Sequence, residues 1–138
     1  MTVLKVFSAN GGELAVFVAE RSSKRLLGLA VLRGLPSRTG LLIADCRSIH
    51  TFGMRFPLDV VFVAVGPRCL EVVELHGSVP RRRVVRASRP GVGALELPGG
   101  EARRLELAPG LRLRHRPATP RGLQPQDSPD PLWQIPAW

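Results

Sequence analysis

The run over residues 59–65 is the feature that most constrains the fold. After Asp59 it contains only Val, Phe and Ala, so it lacks the polar alternation of a strand with one solvent-exposed face. A continuous apolar run of this length, rich in β-branched residues, is typical of a strand buried on both faces. The sequence therefore predicts a central strand here, inside a sheet that is covered on both sides.

Short segments rich in β-branched residues, separated by turn residues, predict further strands on both sides of this run. Asn10-Gly11-Gly12 is a strong turn signal between two of them, and the three parts together predict a β-hairpin. Gly66-Pro67 and Pro109-Gly110 predict turns further along the chain. The predicted strands are 3–7, 14–20, 69–76, 84–85, 92–97 and 111–115, and a further short apolar segment covers 41–44.

Two glutamates interrupt the alternation of the predicted strand 69–76. Glu71 and Glu74 are three residues apart, so the pattern breaks between Val72 and Val73. A β-bulge at this point would bring both carboxylates to the solvent face.

Two short helices are predicted beside the strands. Leucines recur at helical spacing over 24–32, after a serine that can cap the first turn. The second helix, 98–105, opens with Pro-Gly-Gly and carries Glu101 at its favourable N-terminal end. These elements predict the α+β class: a compact, mainly antiparallel β-sheet, sandwich- or barrel-like, with two short helices.

The composition changes near residue 115. Of the 23 residues over 116–138, six are Pro, and two basic residues balance two acidic ones. We therefore predict one domain over 1–115 and a mobile, Pro-rich C-terminal tail over 116–138. The end of the tail, 132–138, is apolar enough to dock on the domain, on a sister chain or on a partner.

Several classes of site and location are not expected. Cys46 and Cys69 have no CxxC spacing, and no two of His50, Asp59 and His76 lie at metal-binding spacing, so we predict no metal and no cofactor. No apolar run approaches the ~18 residues of a membrane span. The N-terminal segment lacks the pattern of a secretory signal, which predicts a cytoplasmic protein.

The charge balance suggests an anionic partner. Twenty basic residues stand against eleven acidic ones, a net charge of +9, which suits nucleic acid, a phosphorylated ligand or an anionic membrane surface. The best candidate anion patch consists of Arg81, Arg82, Arg83, Arg86 and Arg89. Eighteen of the twenty basic residues are Arg, which GC-rich coding also produces, and aromatic residues for stacking are few. Specific nucleic-acid binding is therefore not expected.

The most specific motif lies over residues 47–63. There Phe52, Met54 and Arg55 precede Pro57-Leu58-Asp59 and the apolar run, which resembles the hallmark of the DUF192 family. Four further segments resemble family segments in the same order: Arg25 with Gly28-Leu29, Gly40-Leu41-Leu42, 94–100 and Pro109-Gly110. The resemblance covers about residues 13–115 and implies a compact, mainly antiparallel α+β domain. The resemblance implies no reaction, because DUF stands for domain of unknown function.

We predict a small binding or accessory module with a pocket at the His50–Asp59 loop. The loop combines an imidazole, a thioether, a guanidinium and a carboxylate beside Gly53 and Pro57, and loops entering a rigid strand commonly present ligand-contacting groups. A structural interpretation stays open, in which the apolar side chains fill the core and Asp59 binds backbone N–H groups or an arginine. The candidate ligand-binding residues are His50, Met54, Arg55, Asp59, Arg25 and Glu96.

Two alternatives remain. One is a small enzyme that acts on an anionic or sugar-like ligand with Asp59 or Glu96 as acid/base. Glu96 is interpreted by default as a surface carboxylate, but if it is covered it needs a partner such as Arg25 or Arg55. The other alternative is a basic adaptor that uses the anion patch to bind nucleic acid or a membrane surface. Neither alternative identifies a reaction or a pathway.

Overall fold

The chain forms a closed β-barrel of seven strands with a two-stranded ribbon packed on its outside. The computed structural model describes residues 2–19, 37–52, 54 and 56–118. The elements in these residues are β1 (Thr2–Phe7), β2 (Glu13–Ala19), β3 (Thr39–Ile43), β4 (Ser48–His50), β5 (Leu58–Val65), β6 (Cys69–Val79), β7 (Val84–Arg86), β8 (Gly93–Pro98), α1 (Glu101–Arg104) and β9 (Arg112–Pro117).

The order of strands around the barrel is β1-β2-β3-β8-β5-β6-β9, and β9 pairs back with β1 to close it. Every neighbouring pair is antiparallel except β2 with β3. Closure removes the free sheet edges at which other chains could add a strand. Among the described strands, β4 and β7 pair only with each other and form the ribbon.

The predicted α+β class is wrong, because the described residues are nearly all β. Their one helix, α1, has four residues where 98–105 was predicted, and the predicted helix 24–32 lies outside the described residues. The helix ends early because Glu106 adopts a left-handed φ of 54°, which reverses the chain after a single turn. No local pattern shows that the flanking strands close into a barrel, since closure depends on pairing between distant segments.

Most of the predicted strands are confirmed. β1 and β2 form the hairpin, and β5 lies between β6 and β8 with its residues buried through Val63. The predicted bulge is confirmed as well: Phe62 pairs with Glu74 and Val63 with Val72, so Val73 is the extra residue on β6. Strand β4 was not predicted. β9 continues to Pro117, two residues beyond the predicted domain boundary, and the tail from residue 119 lies outside the described part.

The inner core fills the barrel. Side chains alternate inward and outward along barrel strands, and all seven strands contribute to this cluster. The cluster also includes Ala102 of α1 and Leu105, the C-cap residue of that helix. The helix therefore closes one end of the barrel. Its buried members are Val6, Leu14, Val16, Leu42, Val61, Val63, Leu70, Val72, Leu95, Leu97, Ala102, Leu105, Leu107 and Leu113.

The outer core lies on the other face of the sheet, where the ribbon covers the barrel. The ribbon is held in place by Thr51, whose Oγ1 donates to the Pro80 carbonyl at 2.6 Å and accepts the Arg83 N–H at 2.9 Å. The buried members of the outer core are Phe17, Ala19, Leu41, Ile43, Ile49, Met54, Leu58, Val60, Phe62, Val79, Val85, Ala87, Val92 and Ala94.

Candidate functional site

Glu96 is an acid buried among the side chains of the outer face. It pairs in register with Leu41 on β3 and Val60 on β5, so its side chain lies on the same face as theirs. Glu96 is 1% exposed, and its Oε1 atom has no hydrogen-bond partner within the described part of the chain. Burial raises the pKa of Glu96 from 4.5 to about 8. The carboxyl is therefore mostly protonated at neutral pH, and its default interpretation as a surface group is wrong.

Cys46 borders the same region. It is half-buried and packs against the outer core, and its Sγ donates a hydrogen bond to the Ser48 carbonyl at 3.3 Å. Burial raises the pKa of Cys46, the hydrogen bond to Ser48 acts in the opposite direction, and the negative charges of Glu96 and Asp45 raise it further. A thiol of raised pKa is a weak nucleophile at neutral pH, so Cys46 is not prepared for nucleophilic catalysis.

The residues of the predicted loop are divided between the surface and the core. Met54 is 7% exposed and belongs to the outer core. His50 is exposed on β4, and its ring centroid lies 6.0 Å from that of Phe52, which is exposed as well. Arg55 and Arg25 lie outside the described residues. The structure thus buries Met54 in the outer core and leaves His50 at the surface.

Asp59 is placed at the barrel end that α1 closes, away from Glu96. Its Oδ1 accepts the Ser78 N–H at 2.7 Å, and its Oδ2 accepts the N–H groups of Gly100 at 3.0 Å and Ala102 at 2.8 Å. These donors come from β6 and the start of α1 rather than from the preceding loop. Asp59 pairs with Leu97 in register, so the sheet separates its carboxylate from that of Glu96.

The five arginines of the anion patch are exposed along the ribbon and its connections. Val84 lies opposite His50 in the register of the ribbon and is 63% exposed. His50, Val84 and Arg86 lie on the same exposed face of the ribbon, and Phe52 is exposed close to His50. The structure therefore places aromatic, aliphatic and cationic groups on one exposed face.

Glu74 and His76 form an interacting pair that was not predicted from the sequence. The Oε2 of Glu74 lies 2.6 Å from Nε2 of His76, and its Oε1 accepts the Ser88 N–H at 3.1 Å. The hydrogen bond with His76, then those from Ser88, lower the pKa of Glu74. The signal for this pair was their separation by two positions on one strand, which places both side chains on the same face.

Two kinds of feature are absent from the described ranges. No group of three or more His, Cys, Asp or Glu side chains is positioned there to hold a metal ion. No helix in that part of the chain is long and apolar enough to cross a membrane.

Known structures share this fold. One is the crystal structure of a provisionally named transcription regulator from Sinorhizobium meliloti, which is 24% identical to this chain in sequence. The aligned region covers 83% of this chain and 92% of the regulator, and the two structures superpose with a TM-score of 0.68. A protein of unknown function from Novosphingobium aromaticivorans is 23% identical, covers 80% and 82% of the two chains, and has a TM-score of 0.64. At these identities the likeness concerns the fold alone.

The family assignment comes from the sequence. No curated protein matches the chain. Residues 5–115, which are most of the 138, match the family DUF192, described as Uncharacterized ACR. The predicted resemblance is therefore confirmed, and the chain belongs to the DUF192 family.

Proposed function

We propose that this chain is a small binding module whose ligand site is the outer face around Glu96, bordered by Met54 and Cys46. The observation that carries the proposal is the burial of Glu96: a carboxyl group that is 1% exposed lies between Leu41 and Val60, and its Oε1 has no hydrogen-bond partner among the described residues. The family membership is compatible with this proposal but assigns no activity.

The described part of the barrel gives Glu96 no structural role that requires an acid. An uncompensated buried carboxyl destabilises a fold, whereas an apolar residue at the same position would complete the outer core. Residues that break a local packing rule in this way are commonly found at functional sites. We therefore infer that Glu96 is retained for a contact outside the fold's own packing.

The chemistry of the site defines the class of ligand. Small-molecule sites are mostly apolar walls with a few placed polar groups, and the outer core supplies the wall. A carboxyl with a pKa of about 8 is protonated at neutral pH, so it can both donate to and accept from a hydroxyl or an amide. The proposed ligand is a small, largely apolar molecule with one such group.

The test compares two probes that differ only in the hydroxyl. Benzyl alcohol and toluene are titrated into the ¹⁵N-labelled full chain, and the amide shifts of Cys46 and residues 94–97 are followed. We expect saturable shifts with benzyl alcohol, weaker ones with toluene, and loss of the difference in Glu96→Leu. Glu71→Leu, on a half-buried side chain of β6, is the control that should bind as the wild type does.

A second readout uses the two free cysteines. If the ligand occupies this face, benzyl alcohol should slow the alkylation of Cys46 by iodoacetamide and leave Cys69, on β6, unaffected. Equal shifts in wild type and Glu96→Leu, or unchanged alkylation of Cys46 at saturating probe, would contradict the proposal.

A second candidate function is acid/base catalysis by Glu96, and one observation favours it. General acids work best when their pKa lies near the working pH, and that of Glu96 is raised to about 8. Asp59 is a poor candidate, because both of its oxygens already accept backbone N–H groups. Turnover of a substrate that is abolished in Glu96→Gln without loss of binding would favour the enzyme over the binding module.

A further inference from the structure

A groove with a volume of about 710 Å³ opens on the barrel surface beside the β1–β2 turn. It is bounded by that turn, the end of α1 and the last residues of β9. Its volume lies in the range of small-molecule sites. The side chains that matter for its chemistry are Lys5, Glu13, Ala15, Arg38, Arg104 and Arg116.

The groove carries an excess of positive charge. Four cationic side chains line it, against the single carboxylate of Glu13, which pairs with Lys5 at 3.0 Å. Arg104 is bound by Glu101, whose Oε2 lies 2.7 Å from the guanidinium. Arg38 and Arg116 make no ion pair with any residue that the structure describes. No carboxylate in the described part of the chain therefore neutralises these two guanidinium groups; that of Arg116 lies 5.3 Å from the centroid of the Phe7 ring, a contact that leaves its positive charge in place.

Strand register explains why the cations meet there. Lys5 pairs with Ala15 on β2 and with Arg116 on β9, so these three side chains lie side by side on the outer surface. The carbonyl of Arg38 accepts the N–H of Ala15 at 3.0 Å, so the residue just before β3 lies beside the same three side chains. The small side chain of Ala15 leaves the space between them open.

One wall of the groove is fixed by hydrogen bonds between the turn and α1. Ser8 Oγ donates to the Leu105 carbonyl at 2.6 Å, and Asn10 Nδ2 donates to the Arg104 carbonyl at 2.9 Å. The guanidinium of Arg104 donates in turn to the Glu13 carbonyl at 3.2 Å. A site held rigid in this way loses little conformational freedom when a ligand binds.

We propose that this groove binds a small molecule that carries a phosphate group. Guanidinium groups recognise phosphate through paired charge-assisted hydrogen bonds, and Arg38 and Arg116 are the groups available for them. The groove is larger than a bare phosphate requires, so the ligand also has an organic body of about the size of a nucleoside. This site is separate from the face of Glu96, and its test can fail or succeed independently of the proposed function.

The experiment titrates adenosine monophosphate into the ¹⁵N-labelled full chain, with adenosine as the control that lacks the phosphate. We expect saturable shifts of the Gly11, Gly12 and Ala15 amides with the monophosphate and none with adenosine. Arg38→Gln and Arg116→Gln should each weaken binding by about tenfold, the equivalent of one lost charge-assisted hydrogen bond. The matched control is Arg82→Gln, an exposed arginine of the anion patch, which should bind as the wild type does.

A steric variant provides the second measurement. Ala15→Leu should fill the groove and abolish the shifts while the melting temperature stays close to that of the wild type. If this variant unfolds, the two surface arginine variants still decide the question. Wild-type affinity in both of them, or shifts centred on the amides of 81–86, would overturn the proposal and assign the anion to the ribbon.

Discussion

The Oδ2 atom of Asp59 accepts the backbone N–H of Ala102 at 2.8 Å, between residues that are 43 positions apart. The same carboxylate binds the N–H groups of Gly100 and Ser78. Gly100 has a left-handed φ of 95°, a conformation that favours glycine. One acid therefore joins the start of β5, the end of β6 and the helix that closes the barrel.

Asp59→Asn should destabilise the fold. The amide keeps one accepting oxygen but directs an NH₂ group at backbone donors, and the charge that strengthened all three bonds is lost. We expect a loss of about 2–4 kcal/mol in the free energy of unfolding at pH 7, measured by urea denaturation. Asp45→Asn, on an exposed acid, should change it by less than about 0.5 kcal/mol. Equal stability of the two variants would contradict the structural role of Asp59.

Glu96→Gln should change how stability depends on pH. The pKa of Glu96 in the folded protein, about 8, lies above its ordinary value of 4.5. At a pH between these two values, Glu96 is deprotonated in the unfolded state but keeps its proton in the folded state. Wild-type stability should therefore fall as pH rises through this window, by up to about 1.4 kcal/mol per pH unit. Glutamine carries no titrating proton, so the variant should lack this decline and be the more stable protein at pH 8.

The measurement is the free energy of unfolding of both proteins at pH 5 and at pH 8. Glu106→Gln, on an exposed acid, is the matched control and should follow the wild-type profile. If Glu96→Gln follows that profile too, the carboxyl of Glu96 titrates as an ordinary acid and the inference from its burial fails.

Phe62→Ala should leave a cavity in the outer core. Phe62 is fully buried on β5, and its ring meets that of His76 edge-on with 5.9 Å between centroids. We expect a loss of about 3–5 kcal/mol in the free energy of unfolding. Phe52→Ala removes the same ring from a position that is 51% exposed and should cost less than about 1 kcal/mol. A similar small loss in both variants would show that β5 is not the centre of the packing.

The anion patch should bind polyanions weakly and without sequence preference. Because its arginines are exposed, their contacts with phosphates would release counterions, and affinity for single-stranded DNA should fall steeply with salt. Arg82→Gln and Arg83→Gln should each reduce the slope of log affinity against log salt by about one unit. Salt-resistant, sequence-selective binding would contradict this prediction and favour the adaptor function over the small-ligand module.

Features with a local cause could be predicted from the sequence alone. The β1–β2 hairpin follows from Asn10-Gly11-Gly12, and the central strand β5 from its uninterrupted apolar run. The bulge at Val73 follows from the spacing of Glu71 and Glu74, because a break in a two-residue period needs an extra residue. The family motifs are also short stretches of sequence, and the match of residues 5–115 to the family confirms the resemblance that they indicated.

The barrel, the burial of Glu96 and the groove were decided only by tertiary structure. Closure requires β9 to pair with β1, as Val6 does with His115, and no periodicity within either strand indicates its partner. The alternation of side chains along the strand predicted that Glu96 lies on the face opposite Leu95. Whether that face is exposed to solvent depends on which residues pack over it. Lys5 and Arg116 meet for the same reason: strand register, which is set by long-range pairing, brings together side chains that are far apart in the sequence.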